Sequence, residues 1–269
     1  MKKFVKVLSL ILAIALMATM AAACSSNGNE KETSEAATSS TEQSAQPKEL
    51  VFGTNAEFPP FEFISAEGVI GEYDGIDISI AKQLAEDNGM TVRIENMEFD
   101  SLLVAVQNGQ IDAAIAGMTI KPERLESVDF SIPYYKATQV MIVKEDSTIA
   151  KATDMKDKKI AVIQGYTGES CVKDMGYEYE AFKKGSDAIL ELLNGRCDVV
   201  VLDSATSKNY VANNDGIKIV EDADAFEGEE YAIAVKKGNK ELLDKINATL
   251  EKMLADGTIE ALGAKYADQ

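Results

Sequence analysis

DSLLVAVQNGQIDAAIAGMT, residues Asp100–Thr119, holds two kinds of order in one run. The first half repeats apolar residues at helical spacing, from a potential cap at Asp100 to a stop at Asn108-Gly109. The second half, from Ile111, is almost continuously apolar, the pattern of a buried strand. The same plan returns as SDAILELLNGRCDVVVLDSA, Ser186–Ala205. An offset of 86 (186 − 100) lays Asn108, Gly109 and Asp112 on Asn194, Gly195 and Asp198, and Gly117 on Asp203. Helix–turn–strand connections are common, and twenty residues is a short echo; it reads nonetheless as two related lobes.

Working outward, LVFGT, TVRIENM, QVMIVK, KKIAVIQG, IKIV and YAIAVKK predict strands. GIDISIAKQLAEDNG predicts a helix, with Ile76, Ile80 and Leu84 recurring every four residues and Asn88-Gly89 ending it. TGESCVKDM, SATSKNYVANN and NKELLDKINATLEKMLADG predict further helices, and Pro122 suits the first turn of a short one. Strands alternating with helices imply an α/β fold with mainly parallel sheets.

The chain has 269 residues and a formal net charge of −18. A surface this acidic repels phosphate backbones, so nucleic acid is excluded as a partner. There is no histidine, which removes a histidine general base, a Ser-His-Asp triad and histidine metal ligands. Cys24, Cys171 and Cys197 are too few and too scattered for a zinc site, and no cofactor is implied. Whether Cys171 and Cys197 are bridged is not legible, since sequence does not place their Cα atoms.

Residues 1–23 read as an export signal: Lys2, Lys3 and Lys6, then an apolar stretch, then Ala21-Ala22-Ala23. Cys24 directly afterwards resembles the lipidated cysteine of a bacterial lipobox, although Ala21 stands where a leucine is usual. Residues 24–47 carry no apolar period and read as a solvated tether. The expectation is an extracytoplasmic protein held to the cell membrane by lipid on Cys24, without spanning it.

Open α/β sheets bind ligands beyond the carboxyl ends of their strands. Two facing lobes would therefore put Gly117, Thr119 and Asp203 on one cleft. Asp203 ends the apolar run VVVLD, and a desolvated carboxylate needs a partner. Arg124, five residues after Thr119, supplies it in one of two ways. Either the two form an internal salt bridge, or they face opposite ends of a zwitterionic ligand, an α-amino acid.

The chain resembles the extracytoplasmic solute-binding proteins of polar amino acid ABC transporters, the group containing the glutamine- and histidine-binding proteins. The resemblance covers nearly all of 48–268 and rests on GTNAEFPPFEF, GIDISIAKQLA, LLVAVQNGQIDAAIAGMTIKPER, VDFSIPYY, KKIAVIQGYTG, NGRCDVVVLD and LADGTIEALGAKY in this order. It implies a two-lobed, type II periplasmic-binding-protein fold that closes on its ligand. The first lobe would comprise 48–134 and 232–269 and the second 139–229, with hinges at 134–138 and 229–231. It implies delivery of the ligand to an ABC transporter permease by a monomer that is not an enzyme.

By position, the resemblance makes Arg124 the bidentate grip on the ligand carboxylate, shared with Thr119 and, from the second lobe, Thr167 at a helix start. Asp203 and the Gly117 carbonyl would hold the ammonium. Phe58 would pack on the ligand side chain. Its usual ring partner, taken to lie just before the first helix, is Ile76 here. Asn55 replaces an aspartate, which argues against a cationic ligand; Glu57 could restore charge but reads as solvated. Met118 and Gln164 would also border the cleft. The expected ligand is a neutral polar or moderately apolar amino acid, the neutral polar kind first. The alternatives are a sensor lipoprotein docking on a membrane receptor and a dehydratase-like enzyme on the same scaffold.

Overall fold

The computed structural model describes residues 48–65 and 72–267. The export signal, the tether and Cys24 lie outside the described residues. In chain order the elements are β1 Glu49–Thr54, β2 Glu57–Phe58, β3 Glu62–Ile64, β4 Tyr73–Asp74, α1 Ile76–Asp87, β5 Thr91–Asn96, α2 Phe99–Asn108, β6 Ala113–Ala114, α3 Pro122–Leu125, β7 Val128–Phe130 and β8 Tyr135–Lys144. After a 3-10 turn at Ala152–Met155 come β9 Ile160–Ile163, α4 Thr167–Asp174, β10 Tyr179–Phe182, α5 Gly185–Leu193, β11 Val199–Asp203, α6 Ser204–Ala212, β12 Ile217–Val220, β13 Gly228–Tyr231, β14 Ala234–Lys236, α7 Lys240–Ala255 and α8 Thr258–Tyr266.

The strands form two main sheets, giving the two-lobed type II fold. The first has the order β5-β1-β6-β14-β7 and the second β10-β9-β11-β8-β12, with β13 also paired to β8. Each is parallel on one side and antiparallel on the other. β1 pairs in parallel with β5 and β6, whereas β14 runs against β6 and β7. β9 pairs in parallel with β10 and β11, whereas β8 runs against β11, β12 and β13. The antiparallel partners belong to segments that pass between the sheets, β8 leaving the first and β13–β14 returning to it. A small third sheet, β2-β3-β4, carries Phe58 and Glu62.

Helical periodicity holds where it was strongest. Ile76, Ile80 and Leu84 of α1 are all buried. Burying a side chain of this size contributes about 1.5–3 kcal/mol, enough to fix which face of α1 meets the sheet. Three expectations shift. The run after Ile111 keeps only two residues of ladder, because Gly117 turns the chain with φ 52°. Asp100 does not cap α2, which starts at Phe99; its carboxylate accepts instead from Gln164 and Lys183. YAIAVKK splits, because Tyr231 ends a strand of the second sheet and Ala234 begins one of the first. Cys171 and Cys197 are free. Among the described residues no helix is long and apolar enough to cross a membrane.

Candidate functional site

The carboxyl ends of β6 and β11 face one enclosed space. It is lined by Phe58, Phe99, Ala116, Gly117, Thr119 and Arg124 from the first lobe, and by Tyr166, Thr167 and Asp203 from the second. The lobes are shut on it, and the remaining cavity is ≈ 10 Å³. A cavity of that size accommodates about one water.

Gly117 is required by its surroundings. A Cβ there would stand 2.4 Å from the Phe58 ring, at a backbone angle that L residues avoid. Its N–H donates to Asp77 Oδ2 at 2.8 Å, and Tyr134 Oη donates to the same oxygen at 2.8 Å. Asp77 thus ties the start of α1 to the bend after β6 and to the segment entering β8. Burial pushes Asp77 up to about 6, with the Gly117 and Tyr134 bonds opposing. Glu62, fully buried beside it, lies well above the ordinary carboxylate range because of burial first and the charge of Asp77 second. No donor among the described residues reaches either Glu62 oxygen; its one side-chain partner is the Asp77 carboxylate, to which a protonated Glu62 can donate. A neutral, protonated Glu62 is the state that such an environment permits.

Arg124 comes from α3, two residues past Pro122, and is 7% exposed. Its guanidinium donates to the Thr119 carbonyl at 2.8 Å and, across the cleft, to the Gly165 carbonyl at 3.0 Å, and lies over the Phe99 ring at 5.3 Å. Burial lowers its affinity for the proton, and the field of Asp203 offsets this. Asp203 is the last residue of β11 and accepts from Tyr231 Oη at 2.5 Å. Burial pushes it up to about 7; Glu229 adds to this, and hydrogen bonds from Tyr231 and Gln139 work against it. Among the described residues Arg124 and Asp203 form no ion pair with each other. A buried cation and a buried anion therefore border one space with their charges turned to it rather than cancelled.

Thr119 and Thr167 meet across the cleft, with Thr167 Oγ1 donating to Thr119 Oγ1 at 3.1 Å. The Thr119 hydroxyl in turn donates to Glu229 at 2.6 Å, and Gln139 holds the other Glu229 oxygen at 2.9 Å. In this closed form the Thr119 hydroxyl proton is therefore committed to Glu229.

The other expected site residues divide. Phe58 lines the cavity. Asn55 is buried at its edge, accepting from Tyr166 Oη at 2.7 Å and donating to the Met97 carbonyl at 3.0 Å. Gln164 sits at the half-exposed rim on Asp100. Ile76 and Met118 are core residues that do not line the cavity. Phe99, not a residue before α1, supplies the second ring, because α2 begins at the carboxyl end of β5 and aims its first side chain into the cleft. Sequence reasoning missed Phe99 and Tyr166. The available signals were an aromatic ending a strand-to-helix loop and the tyrosine directly preceding Thr167. Glu57 is not merely solvated but paired with Lys184 of the other lobe at 2.8 Å, as Asp100 is with Lys183 at 3.0 Å.

A family model described as bacterial extracellular solute-binding proteins, family 3, matches residues 50–269. The chain belongs to this family. Among its relatives, the arginine-binding extracellular protein ArtP of Bacillus subtilis is 33% identical over 225 residues, covering 81% of this chain and 86% of ArtP. The ABC transporter glutamine-binding protein GlnH of the same organism is 31% identical, covering 97% of each chain. A solved structure described as an ancestral arginine-binding protein bound to glutamine superposes with a TM-score of 0.76 at 43% identity, covering 82% of this chain and 99% of that one. These family 3 relatives are amino-acid-binding proteins by name, not enzymes.

Proposed function

We propose that this family 3 protein captures an L-α-amino acid between its lobes and delivers it to an ABC transporter permease. The observation that carries the reading is the pair Arg124 and Asp203: both buried, on opposite lobes, lining one cavity and not bonded to each other. An α-carboxylate at Arg124 and an α-ammonium at Asp203 would restore charge balance to a site that is costly without it. The backbone N–H of Thr119, whose hydroxyl is held by Glu229, and the start of α4 at Thr167 would be further donors to the carboxylate. Hinges at 134–138 and 229–231, between a first lobe of 48–134 and 232–269 and a second of 139–229, would let the lobes part.

The side chain is proposed to be neutral and polar. Asn55 supports this, since its amide is engaged at both ends and brings no negative charge. Glu57, which the sequence offers as a source of negative charge, is paired with Lys184. Lipid on Cys24 after removal of residues 1–23 would hold a monomer at the outer face of the membrane through the 24–47 tether. One observation favours the dehydratase-like alternative: an Asp203 near neutrality suits proton transfer.

The test is thermal unfolding of residues 25–269 with each common L-amino acid and cystine. A ligand present at about 1,000 times its Kd, binding only the folded form, adds roughly 4 kcal/mol. A raised midpoint with one or a few neutral amino acids is the expected result. A shift with arginine or lysine alone would overturn the neutral assignment. No shift in a cooperatively melting protein would overturn the amino acid reading, and product formation from a panel of carboxylic acids would replace it with the enzyme.

A further inference from the structure

One side chain of the second lobe reaches across the closed cleft. Tyr166, the residue before α4, projects from the second lobe into the first, and its ring is 6% exposed. The ring centroid lies 4.5 Å from that of Phe99 and 5.3 Å from that of Phe58, edge-on to the latter. Its hydroxyl reaches Asn55 Oδ1 at 2.7 Å. A phenol ring edge-on to one aromatic ring and tilted against another, with a donor at its tip on a buried amide oxygen, uses the kind of contact these three residues offer to a planar polar side chain. With the ring in place the cavity holds about one water.

Building on the amino acid reading, we propose that Tyr166 is an intramolecular competitor for the ligand side-chain site. When the lobes close without ligand, its ring occupies the space between Phe58, Phe99 and Asn55. A ligand must displace it before closing the lobes on itself. Closure on the tyrosine joins Asn55 to the second lobe, and the Arg124–Gly165 bond and the Thr167–Thr119 bond form in the same state. In this proposal those contacts stabilise a self-occupied closed form that competes with the ligand-bound one. A ligand sees only the fraction of molecules that is open, and its apparent affinity falls by that fraction. If nine-tenths of the molecules are self-occupied, binding weakens about tenfold. The competitor also sets selectivity, since the ligands that displace it best reproduce its ring contacts with Phe58 and Phe99 and its donor to Asn55.

The experiment compares the wild type with Tyr166→Ala and Tyr166→Phe, in the complete mature chain. Small-angle scattering without ligand comes first. The wild type should be compact, Tyr166→Ala more open, and Tyr166→Phe intermediate, because it keeps the ring contacts and loses the bond to Asn55. Calorimetric titration with each amino acid that binds the wild type comes second. Tyr166→Ala should bind about tenfold more tightly and with less discrimination. Equal ligand-free dimensions for all three proteins would overturn the proposal. Weaker binding by Tyr166→Ala would overturn it too, by making the ring a ligand contact. If Tyr166→Ala does not fold, the same two criteria apply to Tyr166→Phe. Absence of binding by every variant, with the scattering difference present, would instead count against the amino acid reading and leave the self-occupied state standing.

Discussion

The segments 100–119 and 186–205 share one plan and reach different ends. Their helices behave alike: α2 buries Leu102, Ala105 and Val106, and α5 buries Ala188, Ile189 and Leu192. Both end at a left-handed glycine, Gly109 and Gly195. The strands then part. β11 runs for five buried residues and its last side chain, Asp203, is itself the acidic group of the cleft. β6 stops after two, and the chain bends at Gly117, where there is room for backbone only. The first lobe must therefore place its charge further along, on Arg124. A repeated scaffold supplies the frame, and the way each strand ends decides which charge its lobe presents.

The largest expected effect comes from the late-placed cation. Arg124→Ala should weaken ligand binding by roughly 2–5 kcal/mol, because the ligand carboxylate and Asp203 would then be buried without a counter-charge. Calorimetry on the folded variant measures this, and an unchanged dissociation constant would refute the assignment of Arg124.

The strand-borne anion should appear as pH dependence. Asp203 is pushed up to about 7 and must be ionised to hold an ammonium. Affinity should therefore fall by up to about tenfold per unit as pH drops below 7. Asp203→Asn should bind weakly and without that slope. Ligand-free stability should move the opposite way. Carboxyls raised in the folded state contribute most below their unfolded values and lose that contribution as pH rises through about 6 for Asp77 and about 7 for Asp203. Melting curves with and without ligand should diverge as pH increases; parallel curves from pH 5 to 8 would contradict both burials.

Gly117→Ala probes the point where the two segments differ. The new methyl would meet Phe58 in a positive-φ conformation, with an expected cost of about 1–3 kcal/mol in urea unfolding. Wild-type stability in this variant would mean that the bend tolerates a side chain, as the corresponding position 203 does.

Much of this was legible. The apolar spacing of α1 and the Asn-Gly stops located elements, because burial of one helix face is a local periodic constraint. Asp203 and Arg124 could be singled out because charges beside apolar runs need a reason. What failed depended on contacts between distant residues. Thr119 is fixed by Glu229, 110 residues away, and no periodicity relates them. Ile76 was expected near the missing ring, but the ring is Phe99, brought in by the pairing of β5 with β1. Tyr166 lay within a stretch read for its threonine alone, and its role emerges only when the opposite lobe is placed against it.

The order of strands in the first sheet has a consequence for how the molecule is made. β14, Ala234–Lys236, lies between β6 and β7, both of which end more than a hundred residues earlier in the chain. A chain emerging from its N-terminus therefore carries a first sheet with its fourth strand missing while the entire second sheet is being laid down. Until residue 234 arrives, β6 and β7 each expose an unpaired edge, the kind of surface that attracts wrong partners. Assembly is thus ordered by topology: the inserted half can be completed early, and the half that begins the chain is the last to be finished.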